Sequence, residues 1–144
     1  MALKTVTVKT KMGAGMKIEG QVGQHTIYID QPVASGGTDS GPNPLEYYQL
    51  ALAGCVSSIA KIVAKQKGIT VRAIDVTVSG DLDTDVLLGK RSDCRAGFSG
   101  FTLAINLDAD LTPAQKKEFL EEVDRRCPVS ENTAHPTTVR LEVS

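Results

Sequence analysis

The spacing of apolar positions along this chain alternates between two residues, the period of a half-buried strand, and three to four, the period of a helix. In Leu3 to Lys9, Val6 and Val8 alternate with Thr5 and Thr7, which predicts a strand. Met16 to Val22 and His25 to Asp30 predict a hairpin that turns at Gly23-Gln24. Gln31 to Pro42 carries Pro32, Gly36, Gly37, Asp39, Ser40 and Gly41 and reads as a loop.

Pro44 to Lys67 reads as one long helix. Asn43 is a good N-cap, Pro44 suits the first helical position, and Glu46 stands where a capping box places its carboxylate. Lys61, Lys65 and Lys67 followed by Gly68 form the stop signal. Leu45, Tyr48, Leu52, Cys55, Ile59 and Ile62 make one apolar stripe, and the opposite face is small, with Ala51, Gly54 and Ser58. No charge falls between Glu46 and Lys61. The helix is therefore expected at the centre of the fold, buried nearly all round, its small residues admitting a second backbone.

Thr70 to Gly80 reads as a strand whose alternation slips by one residue, Val71 and Ala73 giving way to Ile74, Val76 and Val78. Such a slip predicts a bulge or a bend. Asp81 to Gly97 is charged and carries glycine, as a turn or flexible hairpin tip does, and Phe98 to Leu107 returns to strand. Thr112-Pro113-Ala114-Gln115 opens a second helix with another capping box. Its stripe is Lys116, Leu120, Val123 and Cys127, and Pro128 breaks it. Thr137 to Val143 is the last strand, with Val139, Leu141 and Val143 on one face. The sum is an α+β fold, mostly antiparallel sheet with helices packed on one side.

Composition narrows the function classes. A chain of 144 residues with 41% apolar content supports one domain with one core. Trp is absent, and a net charge of −1 without a basic block argues against nucleic acid or an anionic membrane as partner. The first residues lack the apolar core of a signal peptide, and no uninterrupted apolar run reaches the length of a membrane span. Three Cys is an odd number for a secreted disulfide scaffold, so the expectation is a cytoplasmic protein with reduced thiols. Three Cys and two His at no ligand spacing give no metal site. Gly13-Ala14-Gly15 is too short for a phosphate loop, and Asp81, Asp83 and Asp85 lack the glycine and closing Glu of a calcium loop. No cofactor is read from the sequence.

Sulfur chemistry remains. Cys55 lies midway along the long helix and Cys127 at the end of the second, and neither belongs to a Cys-x-x-Cys pair. Two such thiols suggest a nucleophilic thiolate and a second thiol to resolve it. Taken alone, Cys55 equally reads as an inert core thiol. Cys127, if it caps a turn that begins at Pro128, faces the amides of a helix N-terminus, an environment that lowers a thiol pKa. Arg125 and Arg126 either add positive potential there or simply solvate the helix end. Glu46 has a structural job in its capping box. Cys94, within Arg91-Ser92-Asp93-Cys94-Arg95, reads as an exposed bystander, and His135 and His25 as solvated.

The segment Gly41-Pro42-Asn43-Pro44-Leu45-Glu46-Tyr47-Tyr48-Gln49-Leu50-Ala51-Leu52-Ala53-Gly54-Cys55 resembles the signature of the OsmC/organic hydroperoxide resistance superfamily. Cys127-Pro128-Val129-Ser130-Glu131-Asn132-Thr133 resembles its second motif. The likeness in element order extends over essentially the whole chain. It implies a single OsmC-like domain over residues 1–144 and an intertwined homodimer with the two long helices at its centre. It also implies a thiol-dependent peroxidase that reduces organic hydroperoxides in oxidative stress defence. In that scheme Cys55 and Cys127 are the catalytic pair. Cys55 is oxidised to a sulfenic acid, Cys127 condenses with it to a disulfide, and a dithiol reductant restores both.

The chain departs from the superfamily pattern at two positions. Leu45 stands where the catalytic Glu precedes the first cysteine by ten residues, which leaves Glu46, one position on, as the candidate substrate-binding carboxylate. The stretch from Lys9 to Gly23 holds Lys11 and Lys17 but no Arg. This arrangement resembles the divergent OsmC-like branch. The alternative function is then a non-peroxidatic protein that binds a small apolar or electrophilic ligand, or senses redox state, at a dimer-interface pocket. A cation brought to Cys55 by folding, from Arg72, Arg91, Arg95 or Arg126, would discriminate the two.

Overall fold

The computed structural model describes residues 1–144. The chain divides into two compact units, Met1–Tyr48 and Gln49–Ser144, with the boundary inside the first helix.

In the first unit, β1 (Lys9–Met12), β2 (Ile18–Val22) and β3 (His25–Ile29) form an antiparallel sheet in that order. The β2–β3 hairpin pairs Val22 with His25, and Gly23 supplies the left-handed conformation its turn requires, at φ 59°. The loop after β3 is organised by the buried Asp30. Its carboxylate accepts from the hydroxyls of Thr38 at 2.6 Å and Ser40 at 2.7 Å, and from the amides of Gln31, Thr38 and Ser40. These bonds, the two hydroxyls first, hold the Asp30 carboxyl well below the usual carboxylate range. Gly37 lets the loop close over it, since a Cβ there would lie 1.9 Å from the Gln31 carbonyl oxygen. The loop delivers Asn43, whose side chain accepts from the Glu46 amide at 2.9 Å while the Asn43 amide donates to the Glu46 carboxylate at 2.8 Å. This is the capping box that opens α1 (Pro44–Lys67).

In the second unit, β4 (Val71–Asp81) pairs antiparallel with β5 (Gly100–Ala109). The register shifts between Val71 and Ala73, as the slipped alternation predicts, so that Arg72 is the bulged residue, and its guanidinium binds Asp108 and Asp110 at 2.7 and 3.0 Å. Between the two strands lies α2 (Thr84–Leu87), capped by Asp83. After β5 come α3 (Pro113–Arg126), opened by the Thr112–Gln115 capping box, and α4 (Pro128–Ala134). One core joins these elements. Val56, Ala60, Val63 and Ala64 of α1 meet Val71, Leu107 and Ala109 of the sheet, Phe119 and Val123 of α3, and Cys127. The α+β class and the antiparallel sheets are those expected, and α1 has the predicted limits.

Four expectations are corrected. Residues 1–8 and 137–144 lie outside any strand, β1 beginning only at Lys9. Val139, Leu141 and Val143 are 80%, 89% and 97% exposed. Alternation marks a segment suited to pairing, but a strand forms only against a partner, and within one chain neither terminus has one. The buried stripe of α1 is Leu52, Val56, Ala60, Val63 and Ala64, whereas Tyr48 and Ile62 are exposed and Cys55 and Ile59 half-buried. Ala51, Gly54 and Ser58 face outward, so the helix is not buried all round within one chain. Phe119, outside the expected stripe of α3, fills its core position. By length and composition alone α1 would also pass for a membrane-crossing helix, a test that the core helix of a protein passes equally.

Candidate active site at two paired sulfurs

Helix α3 stops at Arg126 because Pro128 has no amide to continue the ladder, yet the same proline suits the first position of a new helix. Cys127, in extended backbone at φ −82° and ψ 111°, is both the last cap of α3 and the N-cap of α4. Its amide donates to the Asp124 carbonyl at 3.2 Å. The corner turns the side chain into the core, where it is fully buried. Cys55, half-buried on α1 beside the core residue Val56, meets it there, and the Cys127 thiol donates to the Cys55 sulfur across 2.8 Å. Both are free thiols. Disulfide bonding needs about 2.05 Å between sulfurs, a displacement of less than an ångström.

The first turn of α4 does face Cys127, whose Sγ accepts from the Ser130 amide at 3.4 Å. The expected lowering of its pKa is nevertheless corrected. Burial, then the hydrogen bond to Cys55, push the Cys127 thiol up to about 11, and the amides of Ser130 and Val129 offset only part of this. Arg125 and Arg126 do not turn inward: both are exposed, and Arg126 pairs with Glu122 at 3.3 Å. Cys127 is thus held as a protonated thiol, and Cys55 is the sulfur more open to a reagent.

The other sequence candidates lie elsewhere. Glu46 is exposed and committed to the capping box of α1. Arg72 is bound by Asp108 and Asp110, and Arg91 by Asp83 and Asp93. Lys17 stands over the Tyr28 ring, 4.3 Å from its centre. Cys94 is exposed, 3.8 Å from an Asp83 carboxylate oxygen, and desolvation followed by the Asp83 charge pushes its thiol up. His135 is exposed and sits 3.2 Å from Glu131.

Arg95 differs from these arginines. It lines a cavity of about 500 Å³ whose walls include Leu52, Val56, Phe98, Phe101, Leu103 and Ile105, with Asp124 and Ser130 at its polar side. Cys55 and Cys127 do not line the cavity themselves; their neighbours Val56 and Ser130 do. The Ser130 hydroxyl donates to the Asp124 carboxylate. Sequence reading missed this Asp124–Ser130 pair. Its signal was present in the spacing, a serine at the third position after the capping Cys127 and an aspartate one helical turn before it.

The sequence matches the family model for OsmC-like proteins over residues 37–142. Among solved structures, an OsmC-like protein from Mycoplasma pneumoniae superposes with a TM-score of 0.80 at 22% identity, covering 92% of this chain and 89% of that one. The organic hydroperoxide resistance protein OhrB of Bacillus subtilis superposes at 0.62 with 27% identity, covering 99% and 100%. An organic hydroperoxide resistance protein from Legionella pneumophila superposes at 0.60 with 22% identity, covering 91% and 90%. No curated protein matches the sequence.

Proposed function

The chain belongs to the OsmC-like protein family, and we propose that it is a thiol-dependent peroxidase that reduces organic hydroperoxides in oxidative stress defence. The observation that carries this reading is the 2.8 Å approach of Cys127 to Cys55. The Cys55 thiolate attacks the peroxide oxygen. The O–O bond breaks, an alcohol leaves with a proton, and Cys55 becomes a sulfenic acid. Cys127 then attacks the Cys55 sulfur, the hydroxyl departs as water with the proton of Cys127, and a disulfide forms. A dithiol reductant returns both sulfurs to thiols. The structural relatives from Bacillus subtilis and Legionella pneumophila are named for organic hydroperoxide resistance, which supports the substrate class. The apolar walls of the neighbouring cavity support organic over hydrogen peroxide. A reducing, cytoplasmic setting suits the cycle.

The working form in this proposal is a homodimer. The strand-patterned residues 1–8 and 137–144 pair with a second copy, covering Leu3, Val6, Val8, Val139, Leu141 and Val143. The outward face of α1 that is uncharged between Glu46 and Lys61, with Leu50, Ala51, Gly54 and Ser58, receives the corresponding helix.

A second reading, a non-peroxidatic protein that binds an apolar or electrophilic molecule or senses redox state, draws on a specific arrangement. Leu45 occupies the Glu position, while Arg72, Arg91 and Arg126 are held by carboxylates rather than by Cys55. Peroxide consumption with dihydrolipoamide separates the two. The peroxidase turns over cumene hydroperoxide faster than hydrogen peroxide and loses the activity in Cys55→Ser. No turnover, with both thiols still reduced, selects the second reading.

A further inference from the structure

Cys127 has an unusual burden for a capping residue. A thiol is a weak hydrogen-bond acceptor and a poor substitute for the Ser, Thr, Asp or Asn that usually caps a helix. The helix it caps is seven residues long and has no fully buried residue, so little packing fixes the corner from that side. Yet the sulfur must stay aimed at Cys55. Two residues placed symmetrically about it, three before and three after, supply the restraint. Asp124 takes the Cys127 amide on its backbone carbonyl at 3.2 Å and the Ser130 hydroxyl on its carboxylate. Ser130 gives its hydroxyl to Asp124 and its amide to the Cys127 sulfur at 3.4 Å. Main chain and sulfur of Cys127 are thereby tied to the same pair, and a charged acceptor makes the closing hydrogen bond a strong one.

We propose that Asp124 and Ser130 are positioning residues for disulfide closure, stapling the α3–α4 corner so that the Cys127 sulfur is presented to Cys55. The inference rests on the thiol–disulfide reading of the Cys55–Cys127 pair, but it concerns the second half of the cycle alone. There the Cys127 sulfur is oxidised, the Cys55 sulfur is reduced, and the group on Cys55 leaves. In the first half, attack by Cys55, the Cys55 sulfur is hydrogen-bonded to Cys127 and to neither staple residue, although both line the neighbouring cavity.

The two halves separate with an aromatic disulfide reagent, dithiobis(nitrobenzoate), in a Cys94→Ser background that removes the exposed thiol. Attack by Cys55 releases one thionitrobenzoate, and displacement by Cys127 releases the second. Ser130→Ala and Asp124→Ala are expected to slow the second release about tenfold relative to the first, the loss of one charge-assisted hydrogen bond. Ser130→Thr, which keeps the hydroxyl, is expected to close as the parent does. The proposal is overturned if the second release keeps its rate in both alanine variants, if both releases slow by the same factor, or if Ser130→Thr behaves as the alanine does. A parallel run with one equivalent of cumene hydroperoxide tests the underlying reading separately. If the parent closes with the reagent but stays reduced with hydroperoxide, the peroxidase fails and the staple stands.

Discussion

The Cys127 sulfur lies 2.8 Å from the Cys55 sulfur although 72 residues separate them, and the two differ in access, Cys127 fully buried and Cys55 half-buried. In the proposed cycle that asymmetry divides the labour between attacking and resolving thiols, and it predicts an order of labelling. In reduced protein at neutral pH, iodoacetamide modifies Cys55 and the exposed Cys94 while Cys127 stays unmodified until the chain is unfolded. Peptide mass spectrometry reads the order. Labelling of Cys127 as fast as Cys55 would contradict the assignment.

The raised pKa of Cys127 couples stability to alkaline pH. Below 9.0 the thiol is protonated in folded and unfolded chains alike. Above it the unfolded chain releases a proton that the folded chain holds until about 11. The unfolded state then binds fewer protons, so stability falls as pH rises through that window. Urea midpoints of reduced protein are expected to drop between pH 9.0 and 11, and the drop to shrink in Cys127→Ala. An equal drop in both would place its origin elsewhere.

Gly54 tests the proposed second copy. Around it a Cβ meets nothing within 4 Å in the single chain. In a monomer Gly54→Leu would therefore stabilise α1 by about 1 kcal/mol through helix propensity alone. If a second helix crosses there, the added side chain meets it, and the variant loses both dimer and stability. Sedimentation equilibrium is expected to give twice the 15.3 kDa chain mass for the parent and a lower mass for the variant.

Val63 and Val123 bring α1 and α3 into the core of the second unit with no exposed surface. Truncating either to alanine removes buried methyl groups and leaves a cavity, at a cost of about 2 kcal/mol each. Chemical denaturation measures it. Asp30→Ala, in contrast, leaves the Thr38 and Ser40 hydroxyls without their acceptor and is expected to loosen the loop of residues 31–42, seen as faster amide exchange at Thr38 and Ser40.

Local signals made much of this fold legible. Asn43, Pro44, Glu46 and Gly68 mark the limits of α1 because capping is decided within one turn of the chain. The slip between Val71 and Ile74 marks the bulge for a similar reason. The rotation of α1 was not legible. Its stripe through Tyr48, Cys55 and Ile62 and its stripe through Val56, Ala60 and Val63 are both apolar, and only the placement of β4, β5 and α3 selects the second. Leu3 to Lys9 and Thr137 to Val143 carry strand patterning, yet residues 1–8 and 137–144 form no strand within the single chain, because a strand needs a partner that local pattern does not supply. At the site, Cys55 and Cys127 were recognised by their motifs. The direction of the Cys127 shift depended on burial outweighing the helix N-terminus, a balance that spacing does not encode. Asp124 and Ser130 went unread because their meaning lies in the corner between two helices.

The central claim is that the two sulfurs form one redox pair that an organic hydroperoxide can oxidise. The most direct test is to treat the reduced protein with one equivalent of cumene hydroperoxide, block the remaining thiols and map the peptides by mass spectrometry. The account predicts a Cys55–Cys127 disulfide, with Cys94 alkylated, and in Cys127→Ser a Cys55 sulfenic acid trapped by dimedone. Both thiols recovered in the reduced state, or a disulfide that involves Cys94 instead, would contradict it.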